Sequence, residues 1–312
     1  NVSPRREYLA PFDWRSGDFF LPGGFELHDI SRMMRWYGTL GVPYDAYVCD
    51  TSFTHARKHV RSRSKPLERM MQEAATVAAS GGKVGYWTYP TPNGAFVPSR
   101  IEKARQVREF IREREGVLLH TESAHWTGIV VTDPSTPTLG TDGVRGAHRA
   151  LAALHRSPDI MDESGLLVDM PYDLLVLPEQ PVVDSRSVEL LSGFVRAGGK
   201  LLTSGPCLQS SGMQELLGVT EVRSGAFDDG HVILRTSIEP TGIDSSWDRV
   251  ELGEAVELYA LYLSWDQFNP ECRTIPNNWP MHGQLDEENP EPAGCPAAIT
   301  RRMGEGRIVH VC

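Results

Sequence analysis

Cysteine is scarce here. Five residues, Cys49, Cys207, Cys272, Cys295 and Cys312, are scattered through 312 positions with no CxxC pair. An odd, widely spaced set excludes the zinc-ribbon pattern and a disulfide framework, although Cys272 and Cys295 can pair in an oxidising compartment. Ten histidines contain no HExxH, and His55 and His59, four apart, have no carboxylate between them. No metal site is expected. The chain also lacks an unbroken apolar run of membrane-spanning length and a basic–apolar–small leader, so no membrane partner is expected. The compartment stays open, with the cytoplasm slightly favoured. A surplus of positive charge is missing as well: the net charge is −10 and the pI about 5.5, which argues against a broad nucleic-acid surface. The segment Thr132–Gly143 has neither GxGxxG nor GxxxxGK[ST], so nucleotide binding by those mechanisms is not expected, and no cofactor is.

What is present is clearest between Tyr172 and Val219. Leu174 to Leu177 is a continuous apolar run of strand length, which suits a parallel strand buried on both faces. Asp184 or Ser185 can cap a following helix, whose face is Val188, Leu191 and Val195 with Leu190 and Phe194. Gly198-Gly199 supplies the left-handed stop, and Lys200 starts the next strand. Upstream, Gly128–Thr132 reads as a strand. A helix capped by Asp142 then carries Val144, Ala147, Leu151 and Leu154 on one face, and Asp159–Asp162 is a second strand. This order predicts a flavodoxin-like, doubly wound α/β domain over residues 116–235.

Residues 1–115 show a related rhythm. Asp29–Tyr37 reads as a helix, Asp45–Cys49 as a strand, Pro66–Ser80 as a helix with Leu67, Met70, Met71, Ala74 and Ala78 on one side, Lys83–Tyr89 as a strand and Ser99–Arg114 as a charged helix. That is a βα repeat, with function expected on the loops after the strands. Between Asp50 and Pro66 lies a basic island, His55–Lys65, which reads as a solvated loop or else as a local anion or substrate site. Residues 236–312 are less regular. Asp286–Pro290 reads as a turn, and Ala297–Arg301 with Gly306–Cys312 as a β-hairpin joined by Met303–Gly306. The start at Asn1 rather than Met fits processing or an excised piece alike, and the end at Cys312 inside a strand leads to the expectation of a longer native polypeptide.

Four places can carry chemistry. Asp50, with Thr51 and Ser52, stands at a strand end, where a carboxylate serves as nucleophile, acid–base group or hydroxyl acceptor, or else caps the loop. Trp87 and Tyr89 share one side of a strand and can stack on the apolar face of a sugar, or else fill a core. The Phe12–Asp18 loop gathers Asp13, Trp14, Arg15 and Asp18, as a site or as a structural turn. Asp13, Asp18, Glu26 and Asp29 are possible carboxylate partners of Asp50. Cys207, in Ser204-Gly-Pro-Cys-Leu-Gln209, follows a strand as an elbow nucleophile does, but Pro206 and Leu208 replace the small neighbours a sharp elbow needs. His231, His282 and His310 are its only downstream histidines, and an inert buried thiol is the better reading.

Assembled, these residues resemble the C-terminal half of a glycoside hydrolase of the β-galactosidase and fucosidase-like superfamily. Val42–Phe53 (VPYDAYVCDTSF) and Glu68–Phe96 resemble the last two strands of a (β/α)8 barrel with the helix between them. Arg100–Glu115 resembles the helix leading out of it. Tyr172–Pro206, with Leu216–Val219, resembles the amidotransferase-like trimerisation domain, and Gly304–Val311 a strand of a closing β domain. The resemblance implies a partial (β/α) barrel segment in 1–115, a trimerisation-type domain in 116–235 and a β-rich segment in 236–312. It implies a retaining, carboxylate-based hydrolase acting on a terminal sugar of an oligosaccharide or glycoconjugate. Asp50 and Asp13 would be catalytic; Trp14, Asp18, Trp87, Tyr89 and Asn93 would contact the substrate. The partner would be a carbohydrate, with a homo-oligomer or another chain supplying the missing barrel strands. The alternatives are a non-catalytic carbohydrate-binding or oligomerisation module, and a cysteine hydrolase using Cys207.

Overall fold

A computed structural model describes residues 13–18, 27–56, 59–118, 121, 124, 126–132, 142–167, 170–180, 182–227, 230–232, 241–243, 247–262 and 292–312. The chain divides into two compact units, residues 1–129 with 134–165, and residues 130–133 with 166–312. It is a mixed α/β protein built around parallel strands.

The first unit opens with β1 (Arg15–Asp18) and α1 (Leu27–Gly38), followed by β2 (Tyr44–Cys49). Next come β3 (Thr51–Ala56) and β4 (His59–Ser64), then α2 (Leu67–Ala79) and β5 (Lys83–Trp87). α3 (Pro98–Arg112) and the single turn α4 (Glu115–Leu118) follow. The strand order is β1-β2-β5, all parallel. Helical spacing explains the packing. Ile30 and Met34, four apart on α1, meet Ala46 and Val77. Met70 and Ala74 of α2 meet Val48 and Val107. Alternate residues Ala46 and Val48 of β2 therefore bury the inner faces of the helices, each side chain worth about 1–3 kcal/mol. Pro66 precedes α2, and Gly81, at φ +86°, ends it.

β6 (Thr127–Val131), α5 (Asp142–Ala153) and β7 (Asp159–Asp162) come next. On α5, Val144 and Leu151 are buried, but Leu154 is 71% exposed. The helix stops at Ala153, so Leu154 leaves the expected face.

In the second unit β8 (Leu174–Pro178), α6 (Ser185–Arg196) and β9 (Lys200–Ser204) fall where the sequence places them. Asp184 caps α6 by accepting from the Ser187 amide at 2.6 Å, and Gly198 takes φ +106°. α7 (Ser211–Leu217) and β10 (Val219–Phe227) are followed by β11 (Gly230–Val232), β12 (Thr241–Ile243), β13 (Trp247–Leu252) and β14 (Val256–Tyr262). β15 (Pro292–Met303) and β16 (Gly306–Val311) form the expected hairpin. The order runs β12-β11-β14-β15-β16-β9-β8. β16, β9 and β8 are parallel neighbours, and the outer strands are antiparallel. The turn at Asp286–Pro290, Cys272, His282 and most of Thr132–Gly143 lie outside the described residues.

Three sequence expectations change in the first unit. Arg15–Asp18 is a third parallel strand rather than part of a loop; four residues are too few for a visible apolar period. The second predicted strand ends at Trp87, leaving Tyr89 beyond it. The basic island is an antiparallel hairpin, β3 with β4, not a loop. Thr51, Phe53, Thr54 and Val60 supply the strand preference that the charges obscure.

Candidate functional site

Two strands of the first unit end together. Cys49 of β2 is in register with Trp87 of β5, so Asp50 and Thr88 follow side by side, and the Asp50 amide donates to the Trp87 carbonyl at 3.3 Å. The Asp50 carboxylate is 0% exposed. Its Oδ1 accepts from Thr51 Oγ1 at 2.7 Å, and its Oδ2 from Thr88 Oγ1 at 2.6 Å. Arg100, from the first turn of α3, brings Nε to 3.6 Å from Oδ2 and donates through Nη1 to the Tyr89 carbonyl at 3.3 Å. Beneath, the Tyr86 hydroxyl donates to the Arg100 carbonyl at 3.0 Å. Burial first, and then the Asp50 charge, push this phenol above its ordinary range.

Above this polar base stands an aromatic row. The Tyr47 and Trp87 rings meet edge to face with centroids 6.0 Å apart, and Trp87 and Tyr89 lie 6.0 Å apart at 48°. Trp87 is 39% and Tyr89 38% exposed. Gly85 makes room for the row, because a Cβ there would lie 2.6 Å from the Tyr47 ring. Tyr89 thus stands beside Trp87 although it lies beyond the strand: Arg100 holds its carbonyl. Asn93 closes the next turn. Its Oδ1 meets the Thr91 hydroxyl and accepts from the Ala95 amide at 3.3 Å, with Gly94 at φ +80°. The row therefore sits on a base of named hydrogen bonds and presents partly exposed ring faces, which suit stacking on a sugar.

The structure divides the predicted site residues into two groups. Asp13 and Trp14 precede β1, whose first residue Arg15 pairs with Tyr44 at the start of β2. Asp50 lies six residues further along, about 20 Å at ~3.3 Å per residue. The Lys83 ammonium, at the start of β5, lies 5.2 Å from the Trp14 ring centroid, which fixes Trp14 at the same end. Asp13 and Trp14 are therefore at the opposite end of the parallel strands from Asp50, and Asp13 cannot complete a carboxylate pair with it. Asp18 ends β1 in register with Tyr47, on the aromatic side of the sheet's length. Asp29 is buried on α1 with Arg32 at 3.1 Å and Arg145 at 3.5 Å, and Glu26 lies outside the described residues.

The Asp50 carboxylate has no exposed surface, and both of its oxygens are engaged. It holds Thr88 and Arg100, and Arg100 holds the Tyr89 carbonyl. Sequence reasoning missed Tyr47, Thr88 and Arg100. Tyr47 was legible, two residues before Cys49 on the same side as Cys49 and opposite Gly85 in register; Arg100 had no signal within a charged helix. A cavity of about 500 Å³ lies beside β5, lined mainly by Val84, Tyr86, Ala104, Val107, Ile111 and Leu118. None of the exposed aromatics lines it.

In the second unit the Cys207 thiol is buried, and burial pushes its pKa up to about 12. His310 Nδ1 lies 3.8 Å from its sulfur and 2.8 Å from Thr203 Oγ1, with its own pKa lowered to about 4 by burial. This neighbour was invisible in sequence because β16 pairs with β9, His310 opposite Thr203, across more than a hundred residues. A neutral thiol beside a neutral imidazole, both sealed from solvent, is an inert arrangement. Among the described residues no group of three His, Cys, Asp or Glu side chains is placed to hold a metal ion, and no helix is long and apolar enough to cross a membrane.

No protein-family model matches the sequence, and no curated protein matches it. Solved structures do. The chain is similar over 98% of its length to Gan42B, a GH42 β-galactosidase, with a TM-score of 0.70 and 13% identity, covering 47% of that chain. It is similar over 100% to α-L-fucosidase isoenzyme 2 from Paenibacillus thiaminolyticus (TM-score 0.76, 16% identity, 47% of that chain). It is similar over 99% to a β-galactosidase from Bacillus circulans sp. alkalophilus (TM-score 0.74, 11% identity, 48% of that chain). The chain shares the fold of part of these glycoside hydrolases and spans about half the length of each.

Proposed function

We propose that this chain is the aromatic rim and C-terminal part of a glycoside hydrolase that acts on a terminal sugar of an oligosaccharide or glycoconjugate. In this reading β1, β2 and β5 are strands of a (β/α) barrel, completed by further strands on the edges of β1 and β5, residues 116–235 are a flavodoxin-like, trimerisation-type domain and residues 236–312 a β-rich segment. Exposed strand edges need such covering. The observation that carries the proposal is the Tyr47–Trp87–Tyr89 row at the ends of parallel βα strands, where barrels bind substrate. The partial-chain likeness to a β-galactosidase and a fucosidase supports the substrate class. Retaining chemistry needs two carboxyl groups about 5–5.5 Å apart, and in this reading the strands beyond this chain's three supply them. Asp50 is then a positioning residue, and the chain alone binds sugar without turning it over.

The test is calorimetric titration of the chain with galactose- and fucose-terminated oligosaccharides, beside hydrolysis assays on the corresponding nitrophenyl glycosides. Saturable binding that disappears in Trp87→Ala is expected. No binding of any saccharide at millimolar concentration would overturn the proposal.

A further inference from the structure

Among the described residues β5 stands at the edge of the β1-β2-β5 sheet. Its backbone shows what that edge presents. The Trp87 carbonyl accepts from the Asp50 amide and so points toward β2. Successive residues of a strand turn their amides and carbonyls to opposite sides. Lys83, Gly85 and Trp87 therefore bond toward β2, and Val84 and Tyr86 turn their backbone groups to the outer edge. Such an edge is a template for one more strand.

The space beside the edge fits one. The cavity of about 500 Å³ is lined by Lys83 and Gly85 as well as Val84 and Tyr86, residues of both faces, so it runs along the edge of β5 rather than under one face. Its other wall is α3 and α4, where Ala104, Val107, Ile111 and Leu118 recur at three-, four- and seven-residue steps as one apolar stripe. Helices of a βα repeat cover the strands of their sheet, and this stripe overhangs a place where the described residues supply no strand. A water takes about 30 Å³, so an apolar space of this size suits several side chains rather than a structural water. The solved structures that share this fold are about twice as long as this chain, so the larger fold holds polypeptide enough to supply them.

Tyr86 joins this edge to the aromatic row. The residue lines the cavity, and its hydroxyl donates to the Arg100 carbonyl at 3.0 Å. Arg100 donates to the Tyr89 carbonyl at 3.3 Å and lies 3.6 Å from the Asp50 carboxylate. A strand packed against Tyr86 restricts its ring, and through Arg100 it steadies the Tyr89 end of the row.

We propose that the outer edge of β5 and its cavity receive one further β-strand, parallel to β5 and apolar at alternate positions, and that Tyr86 is a positioning residue that relays its docking to Tyr89 through Arg100. The docking stands on the sheet edge and the cavity alone; the relay rests on the sugar-site reading above.

The probe is a heptapeptide of alternating valine and threonine between two lysines, with a control in which serine replaces each valine. In the full 312-residue chain, amide hydrogen exchange at Val84 and Tyr86 should slow as the valine peptide saturates at millimolar concentration, and should not change with the control. Affinity for a galactose-terminated oligosaccharide, read by calorimetry, should rise roughly fivefold in the peptide-saturated chain, the low end of coupling between two sites. Tyr86→Phe keeps the ring and loses the hydroxyl, so protection at Val84 should persist and the gain in affinity should vanish. Ala104→Trp, which fills the cavity, should abolish both while leaving peptide-free sugar affinity and the circular dichroism spectrum unchanged. Absent protection, or equal protection by the serine control, would overturn the docking site, and saccharide binding by the chain alone would leave the sugar site standing. Protection without a gain in affinity, or a gain that survives Tyr86→Phe, would overturn the relay. Protection that appears with rising protein concentration alone would overturn the added strand in favour of a second copy of this chain. If no saccharide binds with or without peptide, the sugar site and the relay fall together, and protection alone decides the docking site.

Discussion

Removing the Asp50 carboxylate tests whether the aromatic row rests on it. In Asp50→Ala the Thr51 and Thr88 hydroxyls, at 2.7 and 2.6 Å, lose their acceptor in a buried space, and the Arg100 guanidinium loses its counter-charge. Each buried group left unpaired costs about 1–3 kcal/mol. The Arg100 side chain is 29% exposed, so water recovers much of its share. The expected loss is about 3 kcal/mol for Asp50→Ala and about half that for Asp50→Asn, which keeps one acceptor. Urea unfolding reads this as a lower midpoint at unchanged slope. Thr88→Val should couple to Asp50→Ala by about 1–2 kcal/mol in a double-mutant cycle, because each removes the same bond. The row should loosen in step: near-ultraviolet circular dichroism of the tryptophans should weaken in Asp50→Ala and recover partly in Asp50→Asn. Wild-type stability in Asp50→Ala, or strictly additive effects with Thr88→Val, would refute the reasoning.

Other predictions follow from the same geometry. Trp87→Ala should weaken saccharide binding at least about tenfold, to below detection at millimolar ligand, from loss of one ring face, with stability changed by less than about 1 kcal/mol because the ring is 39% exposed; calorimetry and urea unfolding check the two. Gly85→Ala should lower stability by about 1–3 kcal/mol, since the new methyl would sit 2.6 Å from the Tyr47 ring, and thermal unfolding reads it. Burial, with help from Arg32 on His148, lowers the pKa of His148 and His310 to about 4. Their contribution to stability is therefore complete above pH ~6.5 and is lost as pH falls from ~6.5 to ~4, at up to about 1.4 kcal/mol per pH unit per histidine. Urea midpoints across that window should be flatter in His148→Gln than in the wild type. Cys207, buried and neutral, should resist iodoacetamide in the native state and react once urea unfolds the chain.

Much of this fold was legible because each element buried its own periodic face. Leu174–Leu177, the Asp184 cap and Gly198 mark β8, α6 and their boundaries without reference to any distant residue. Elements without such a face were misread. β1 is four residues long and carries Ser and Gly, and β3–β4 is disguised by its charge. The site was legible where position along a strand sufficed, as for Asp50 and Trp87. It was not where the decisive fact is a contact between distant elements: Arg100 reaching Asp50, His310 beside Cys207, or Asp13 lying at the wrong end of a parallel strand. Burial was equally invisible. A polar residue after a strand looks the same in sequence whether it is open to solvent or, like Asp50, is buried and bonded to Thr51 and Thr88.

The most direct test of the sugar-site reading is saturation-transfer NMR on the intact chain with galactose- and fucose-terminated oligosaccharides, comparing the wild type with Trp87→Ala. Transfer concentrated on the terminal sugar ring protons, and abolished by Trp87→Ala, is the predicted result. Absence of transfer in the wild type, or transfer unchanged by the substitution, would contradict it.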